Sequence, residues 1–245
     1  LKALAAKDGP SRAAADAIGF TLSADAAQLI TTAKFRALQL LWDRVQAACG
    51  LVPEPASLYA ETSFRMLTKA DPNTNLLRTT SAIFSAGTGG AGSITVAPHS
   101  LALGLPDSFA RRMARNQQSI LLEESNLYRV VDPAAGSGAF ETLTDNLAYA
   151  AWEKFQTIEQ VGGIEVALDG GLIHGWMANA NEARRKALLD GEKTLLGVNL
   201  HAYDGAIDGR ILDVACRPDL VITKGALMIE KLVPVRDEDL MGEPA

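Results

Sequence analysis

The sequence predicts an α/β protein built on a parallel sheet. Short β-forming segments alternate with amphipathic helical segments from Gly19 to Gln160, and this alternation indicates parallel strands joined by helical crossovers. Glycine and proline residues separate the successive units. Four such strand–helix units suit either a doubly wound sheet or part of a (β/α)8 barrel, because a complete barrel needs about 250 residues.

The first unit begins with a short strand at Gly19–Leu22. A helix follows, because apolar residues recur at steps of three and four from Leu29 to Ala48. We expect Ser23 to cap the start of this helix and Gly50 to end it. Short polar side chains cap helix N-termini, and glycine adopts the left-handed conformation that often follows a helix.

Three more units are predicted by the same signals. Asp71-Pro72 is typical of a helix start, with a capping carboxylate followed by proline in the first turn. The further predicted strands are Ser57–Glu61, Gly92–Val96 and Tyr128–Val131. The further predicted helices are 71–86, one from Pro106 with an inner face of Phe109, Met113, Ile120 and Leu121, then 140–160 and 176–189. A β-rich stretch at Thr194–Asn199 completes the recognisable elements.

Composition excludes several classes of function. The chain has 23 basic and 29 acidic side chains and no Lys/Arg-rich block, so nucleic acid is not an expected partner, because phosphate neutralisation supplies most of that affinity. Apolar runs such as Ile120–Leu122 are far shorter than the roughly 20 residues that span a bilayer, so no membrane segment is predicted. The only cysteines, Cys49 and Cys216, favour a reducing compartment, the cytoplasm or a mitochondrial matrix. Because the chain begins with Leu1, we expect it to be cut from a longer protein.

Two glycine-rich segments are candidate ligand loops. Gly87–Gly92 has the letters G-x-G-x-x-G, but a dinucleotide site must follow a strand and open a helix, whereas these glycines end a predicted helix, so a helix stop and turn is favoured. Asp132–Gly138 lies between a predicted strand and a helix, where barrels place ligand loops. There Ser137 can donate a hydrogen bond to an anionic or ribose group, although a plain connector stays equally open. None of the three histidines has a His or Cys at metal-ligand spacing, so no metal site is predicted.

A series of short runs keeps a characteristic order and spacing over about residues 20 to 200. The runs are Ala33–Leu38, Leu41-Trp42, Glu61-Thr62-Ser63, Asp71-Pro72, Leu77-Arg78-Thr79, Ala102–Pro106, Ala114-Arg115-Asn116, Glu123-Glu124-Ser125, Asp132-Pro133, Gly136-Ser137, Gly162-Gly163 and Gly197-Val198-Asn199. In these runs the sequence resembles the methylmalonyl-CoA mutase family of adenosylcobalamin-dependent acyl-CoA mutases.

The resemblance implies a (β/α)8 TIM barrel of which this chain covers about the C-terminal half, strands 5–8. It places that half at residues 1–195 and a C-terminal extension or linker at residues 196–245. A half barrel has two exposed strand edges and an uncovered interior. We therefore expect further chain, or a partner, to close the sheet.

The catalytic pattern of that family is altered here. By the resemblance, catalytic members have the pattern Arg-x-His-x-Gln-Thr-Ser-Gly-Trp at the sixth strand. This chain has Ser57, Tyr59 and Glu61 in place of the arginine, histidine and glutamine. The family's His-Thr-Asn at the seventh strand is replaced by Thr95-Val96-Ala97. These changes remove cationic and hydrogen-bonding groups from a site for an acidic thioester. The run Ile94–Pro98 is more similar to the family's non-catalytic small (β) subunits.

The resemblance therefore implies a scaffold subunit without catalytic residues of its own. Its partner would be a catalytic large mutase subunit, in a heterodimeric isomerase that interconverts methylmalonyl-CoA and succinyl-CoA with adenosylcobalamin. The cobalamin-binding pattern Asp-x-His-x-x-Gly does not occur in this chain. By family position, the residues expected to face the acyl-CoA substrate or the cofactor are Tyr59, Glu61, Ser63, Thr95, Gln118, Ser137 and Glu141.

Two alternatives stay open. The first is a catalytically active adenosylcobalamin-dependent acyl-CoA mutase of altered substrate preference. In it, Tyr59, Glu61 and Gln118 would line a remodelled pocket, and Glu141 would lie near the adenosyl ribose. The second is a non-enzymatic protein that binds an acyl-CoA or a chaperone partner.

Overall fold

The fold contains a parallel β-sheet near its N-terminal end. The computed structural model describes residues 12–205, 207, 210–213 and 230–242. In these residues the sheet has three strands, β1 (Gly19–Ala24), β2 (Ser57–Thr62) and β3 (Ser93–Thr95). They lie in the order β1-β2-β3, and each is parallel to its neighbour. The α/β class with parallel strands and helical crossovers is confirmed.

Helices connect and follow the strands. In the described part of the chain the α-helices are α1 (Arg12–Asp16), α2 (Gln28–Ala48), α3 (Thr74–Thr88), α4 (Ser108–Ser119), α5 (Gly138–Gln160), α6 (Ile164–Asp169), α7 (Leu172–Leu189) and α8 (Asp237–Leu240). Shorter turns are the 3-10 segments Phe64–Met66 and Leu127–Arg129 and the π-helical segment Ile120–Glu124. Helices α2 and α3 are the crossovers from β1 to β2 and from β2 to β3.

One compact unit contains the sheet. It comprises the described residues up to Ser63 together with Arg78–Ala97 and Arg115–Glu153. Phe35 of α2 and Ile83 of α3 are buried in its core. Burying side chains of this size stabilises the fold by about 1.5–3 kcal/mol each.

Gly89 allows close packing within this unit. A Cβ atom at Gly89 would lie 2.9 Å from the Phe35 Cβ and 3.0 Å from the Thr32 carbonyl oxygen. The next residue, Gly90, has a φ of +97°, which a larger side chain tolerates poorly. The run Gly87–Gly92 is thus a helix stop followed by a turn, as predicted, and does not open a helix.

The second compact unit comprises Phe64–Leu77, Pro98–Ala114 and the described residues from Lys154 onward. Its C-terminal segment is fixed by Asp237, whose side chain is 4% exposed. Asp237 forms ion pairs with Arg184 of α7 and with Lys193, the latter at 2.6 Å. Two cationic partners offset part of the cost of burying this carboxylate.

One predicted strand is wrong, and a stretch noted as β-rich forms no strand. Residues 127–129 form a 3-10 turn instead of the strand predicted at Tyr128–Val131, and Val131 is 95% exposed. The β-rich stretch Thr194–Asn199 is a turn with one isolated bridge, between Leu196 and Leu200. β-Forming residues become strands only where neighbours can pack on them, and the apolar side chain of Val131 has no such cover. The boundary between residues 195 and 196 stays a prediction.

Helix starts were predicted with mixed success. Asp107 caps α4, because its Oδ1 accepts a hydrogen bond from the Ala110 N–H at 2.8 Å. Asp71 likewise accepts from the Thr74 N–H at the start of α3. The cap expected at Ser23 is wrong, since Ser23 belongs to β1, and Asp25 turns the chain into α2 by accepting from the Ala27 N–H at 3.0 Å.

Candidate functional site on the open face of the sheet

One face of the sheet is exposed along all three strands. In β2, Leu58, Ala60 and Thr62 are buried, whereas the residues between them are exposed. Because alternate residues of a strand point to opposite faces, the register assigns the exposed positions to one face. This open sheet face consists of Gly19, Thr21, Ser23, Ser57, Tyr59, Glu61, Ser93 and Thr95.

The open sheet face is polar. Ser23, Glu61 and Thr95 are neighbours in register on the three strands, so their Cα atoms are spaced by about 4.8 Å from strand to strand. Tyr59 is 46% exposed, and its ring lies over Gly19, where a Cβ would come within 3.0 Å of it. Hydroxyl groups, one phenol and one carboxylate are therefore the chemistry that this face presents.

Three of the predicted site residues, Tyr59, Glu61 and Thr95, are thus brought together on the open sheet face. Ser63 is not on it. Ser63 is 7% exposed, and its N–H donates to the Ala24 carbonyl at 2.7 Å, directly after the strands. Its neighbour Thr62 accepts a hydrogen bond from the Ala97 N–H at 2.7 Å. Ser63 therefore belongs to the backbone framework at the carboxyl ends of β1 and β2.

Gln118 lines a cavity of about 230 Å³ within the same unit. The cavity is mostly apolar, with Leu121, Leu127 and Ile83 among its lining residues, and Ser93 of the open sheet face also borders it. Gln118 and Ser93 therefore border the same cavity, and Gln118 supplies an amide to its mostly apolar lining.

The glycine-rich loop is held by Arg36 of α2. The Arg36 guanidinium donates to both carboxylate oxygens of Asp132 at 3.0 Å, to Glu141 Oε1 at 2.9 Å and to Thr144 Oγ1 at 2.9 Å. Glu141 Oε1 also accepts from the Gly136 N–H at 2.8 Å. These bonds join α2, the loop and the first turns of α5. We call this set the Arg36 cluster.

The opposite charges of the Arg36 cluster stabilise one another. The hydrogen bond from Arg36, followed by that from the Gly136 N–H, holds the pKa of Glu141 below its ordinary value. Burial alone would lower the pKa of Arg36, but the hydrogen bonds to Glu141 and Asp132 outweigh it and the pKa is raised. Asp132 has a φ of +45°, a conformation that costs about 1–3 kcal/mol. The fork to Arg36 holds it there.

Ser137 and Glu141 therefore lie at the glycine-rich loop. Their contacts differ from those of the other predicted site residues. Ser137 is exposed and accepts the first helical hydrogen bond of α5, from the Glu141 N–H at 2.9 Å. Sequence reasoning missed Arg36, whose partners lie 96 and 105 residues further along the chain. Its only signal was its place in the run Ala33–Leu38, one of those that carry the family resemblance, and no local spacing pairs it with a carboxylate.

The described residues contain no group of three or more His, Cys, Asp or Glu side chains arranged to hold a metal ion. Within the same part of the chain, no helix is both long enough and apolar enough to cross a membrane.

Comparison with known sequences decides the family. A family profile described as Methylmalonyl-CoA mutase matches residues 10–218. The chain belongs to the methylmalonyl-CoA mutase family. The resemblance to this family in the short sequence runs is thereby confirmed.

Relatives in the methylmalonyl-CoA mutase family include small subunits. The methylmalonyl-CoA mutase small subunit of Streptomyces virginiae is 48% identical over 181 residues, which cover 74% of this chain and 29% of the relative. That of Propionibacterium freudenreichii subsp. shermanii is 39% identical over 209 residues, covering 84% and 33%. The methylmalonyl-CoA mutase of Escherichia coli K12 is 36% identical over 190 residues, covering 76% and 26%. The chain thus spans about a third or less of the length of these relatives.

Proposed function

We propose that this chain is part of the barrel of a small-subunit-type methylmalonyl-CoA mutase and acts as a scaffold for a catalytic large subunit. The heterodimer would interconvert methylmalonyl-CoA and succinyl-CoA, while this chain performs no chemical step. The observation that carries the proposal is the polar open sheet face, which presents Ser57, Tyr59, Glu61 and Thr95. By the resemblance, these are the positions of the family's catalytic arginine, histidine, glutamine and histidine.

Charge supports the absence of catalysis by this chain. Methylmalonyl-CoA carries a free carboxylate beside its thioester. Glu61 places another carboxylate on the face that this substrate would meet. At about 5 Å, two like charges repel by roughly 1 kcal/mol in water and 3 kcal/mol at an effective dielectric constant of 20. The loss of an arginine and two imidazoles removes the groups that would offset this repulsion.

The exposed polar face also supports a half barrel. In a (β/α)8 barrel the inward side chains of neighbouring strands fill a closed interior, and here these positions are exposed on β1, β2 and β3. We propose that β1–β3 are consecutive strands of the later half of the barrel, within residues 1–195, and that further chain covers the face. Residues 196–245 would then be an extension.

The side chains of the open sheet face do not suit the binding of adenosylcobalamin through its cobalt. Its side chains are hydroxyls, a phenol and one carboxylate, with no imidazole for an axial position on cobalt. We therefore propose that the partner subunit holds the cofactor. In this proposal the complex works in the cytoplasm, or in the matrix of a mitochondrion.

Assembly tests the proposal. The intact protein is co-expressed with a mutase large subunit, and native mass spectrometry measures the complexes formed. A one-to-one complex in which only the large subunit retains adenosylcobalamin is the expected result. Two outcomes contradict the proposal: no complex with the large subunit, or cobalamin retained by this protein alone. The second outcome would favour the active-mutase alternative.

A further inference from the structure

A second cavity, of about 320 Å³, lies within the second compact unit at the start of α4. This size is within the range of small-molecule sites. Its lining residues include Asn73, His99, Ser100, Asp107, Phe109 and Arg210. We call it the His99 cavity.

Two buried polar atoms at the His99 cavity lack hydrogen-bond partners. His99 is 6% exposed and Ser100 is 1% exposed. Neither His99 Nδ1 nor Ser100 Oγ has a partner among the residues that the structure describes. Buried polar groups in native proteins are paired in the large majority of cases. These two atoms therefore mark where the polar atoms of a ligand would be held.

The position of His99 is fixed by its backbone. The Asn75 side-chain amide donates to the His99 carbonyl at 2.9 Å and also to the Thr68 carbonyl at 2.9 Å. The imidazole packs edge-to-face on Phe109, with ring centroids 6.3 Å apart. The ring is thus presented to the cavity by a preformed framework, which is what a binding site needs.

Burial also favours the neutral form of the His99 imidazole. Burial lowers the pKa of His99, and the weaker influence of the Asp107 charge raises it only in part. A neutral imidazole has one N–H donor and one acceptor. With the proton on Nδ1, the ring can donate to an anionic oxygen, and the Ser100 hydroxyl can donate to the same group.

One cationic and one anionic side chain line the cavity, those of Arg210 and Asp107. Asp107 Oδ1 is already engaged by the Ala110 N–H at 2.8 Å, which leaves Arg210 as the group that attracts an anion. A doubly charged phosphate would be repelled by Asp107 more strongly than a carboxylate. Phe109, 51% exposed, offers an apolar wall.

We propose that the His99 cavity binds a small organic monocarboxylate, with His99 Nδ1–H and Ser100 Oγ–H donating to its oxygens and Arg210 opposite its charge. The short hydrocarbon part of the ligand packs on Phe109. This site is additional to the open sheet face and does not depend on the proposed role in the mutase.

Butyrate is the probe for this site. The intact protein, labelled with 15N in its histidines, is titrated with sodium butyrate at constant ionic strength while ring 15N resonances are recorded. His174 and His201 are internal controls, since a His174 ring nitrogen lies 2.9 Å from the Glu230 carbonyl oxygen and His201 is exposed. We expect saturable shifts of the His99 resonances alone, with a Kd of about 1 mM.

Variants separate the site from nonspecific binding. Ser100→Ala and Arg210→Gln are each expected to weaken butyrate binding by about tenfold or more, as loss of a charge-assisted contact does. The matched control is Arg185→Gln, an exposed arginine paired with Glu182 at 3.6 Å, which is expected to leave the Kd unchanged. Circular dichroism checks that the variants fold. If Ser100→Ala does not fold, Arg210→Gln decides.

Four results overturn the proposal. They are no His99 shift with butyrate up to about 50 mM, equal shifts of all three histidines, tighter binding of inorganic phosphate than of butyrate, and an unchanged Kd in a folded Arg210→Gln variant.

Discussion

Replacing Arg36 with methionine tests whether the Arg36 cluster holds the glycine-rich loop. Methionine keeps much of the alkyl length but removes the bidentate bond to Asp132 and the bonds to Glu141 and Thr144. Hydrogen bonds to charged groups contribute about 1.5–3 kcal/mol each when protected from water. The Arg36 side chain is 12% exposed but that of Asp132 is 40% exposed, so solvent replaces part of the interaction. We expect a loss of about 2 kcal/mol.

The assay is urea unfolding of the intact protein, followed by circular dichroism, for the parent and the Arg36→Met variant. Arg185→Met is the control, because its pair with Glu182 is exposed on both sides and contributes about 0–0.5 kcal/mol. Equal free energies of unfolding for the parent and Arg36→Met would refute the reasoning. So would equal losses in the two variants, since burial is what distinguishes Arg36.

The remaining predictions concern packing, a buried charge and pH. Gly89→Ala is expected to destabilise the fold by about 1–3 kcal/mol, because the new methyl meets Phe35 and backbone; Gly175→Ala, with nothing within 4 Å, is its control in thermal unfolding and should not destabilise. Asp237→Asn should cost about 3 kcal/mol in urea unfolding, since it leaves two cations without their buried carboxylate, and an unchanged midpoint would contradict this. Because the pKa of Glu141 is lowered in the folded state, its stabilisation is present above the unfolded-state pKa and lost as pH falls through the folded one. Stability of Glu141→Gln should therefore fall less steeply than that of the parent below about pH 4.5, and parallel curves would count against it.

Local signals predicted the helix starts where a side chain acts on its own neighbours. Helix starts were predicted at Asp71-Pro72 and from Pro106, and in the structure Asp71 and Asp107 each accept from an N–H three residues ahead. Ser23 failed because β1 continues to Ala24 in register with Thr62 of β2. Pairing with another strand is not visible in the local sequence.

Burial was harder to predict than helicity. Phe109 and Ile120 were expected on the inner face of the helix from Pro106, but they are 51% and 48% exposed. The buried residues of α4 are Ala110 and Ala114. Small side chains let elements approach closely, and a count of large apolar residues overlooks them.

The candidate site was predictable only in part. The alternation of β2 and its register placed Tyr59, Glu61 and Thr95 on one face, as a strand period of two requires. The Arg36 cluster joins residues that are distant in sequence. The His99 cavity depends on which polar atoms lose contact with water. Neither property follows from spacing along the chain.

The most direct test of the account is turnover of methylmalonyl-CoA by the intact protein alone, supplied with adenosylcobalamin, and by its complex with a large subunit. Conversion to succinyl-CoA is followed by chromatography of the thioesters. We predict conversion by the complex and none by this protein alone. Steady conversion by the protein alone would contradict the assignment of a scaffold role.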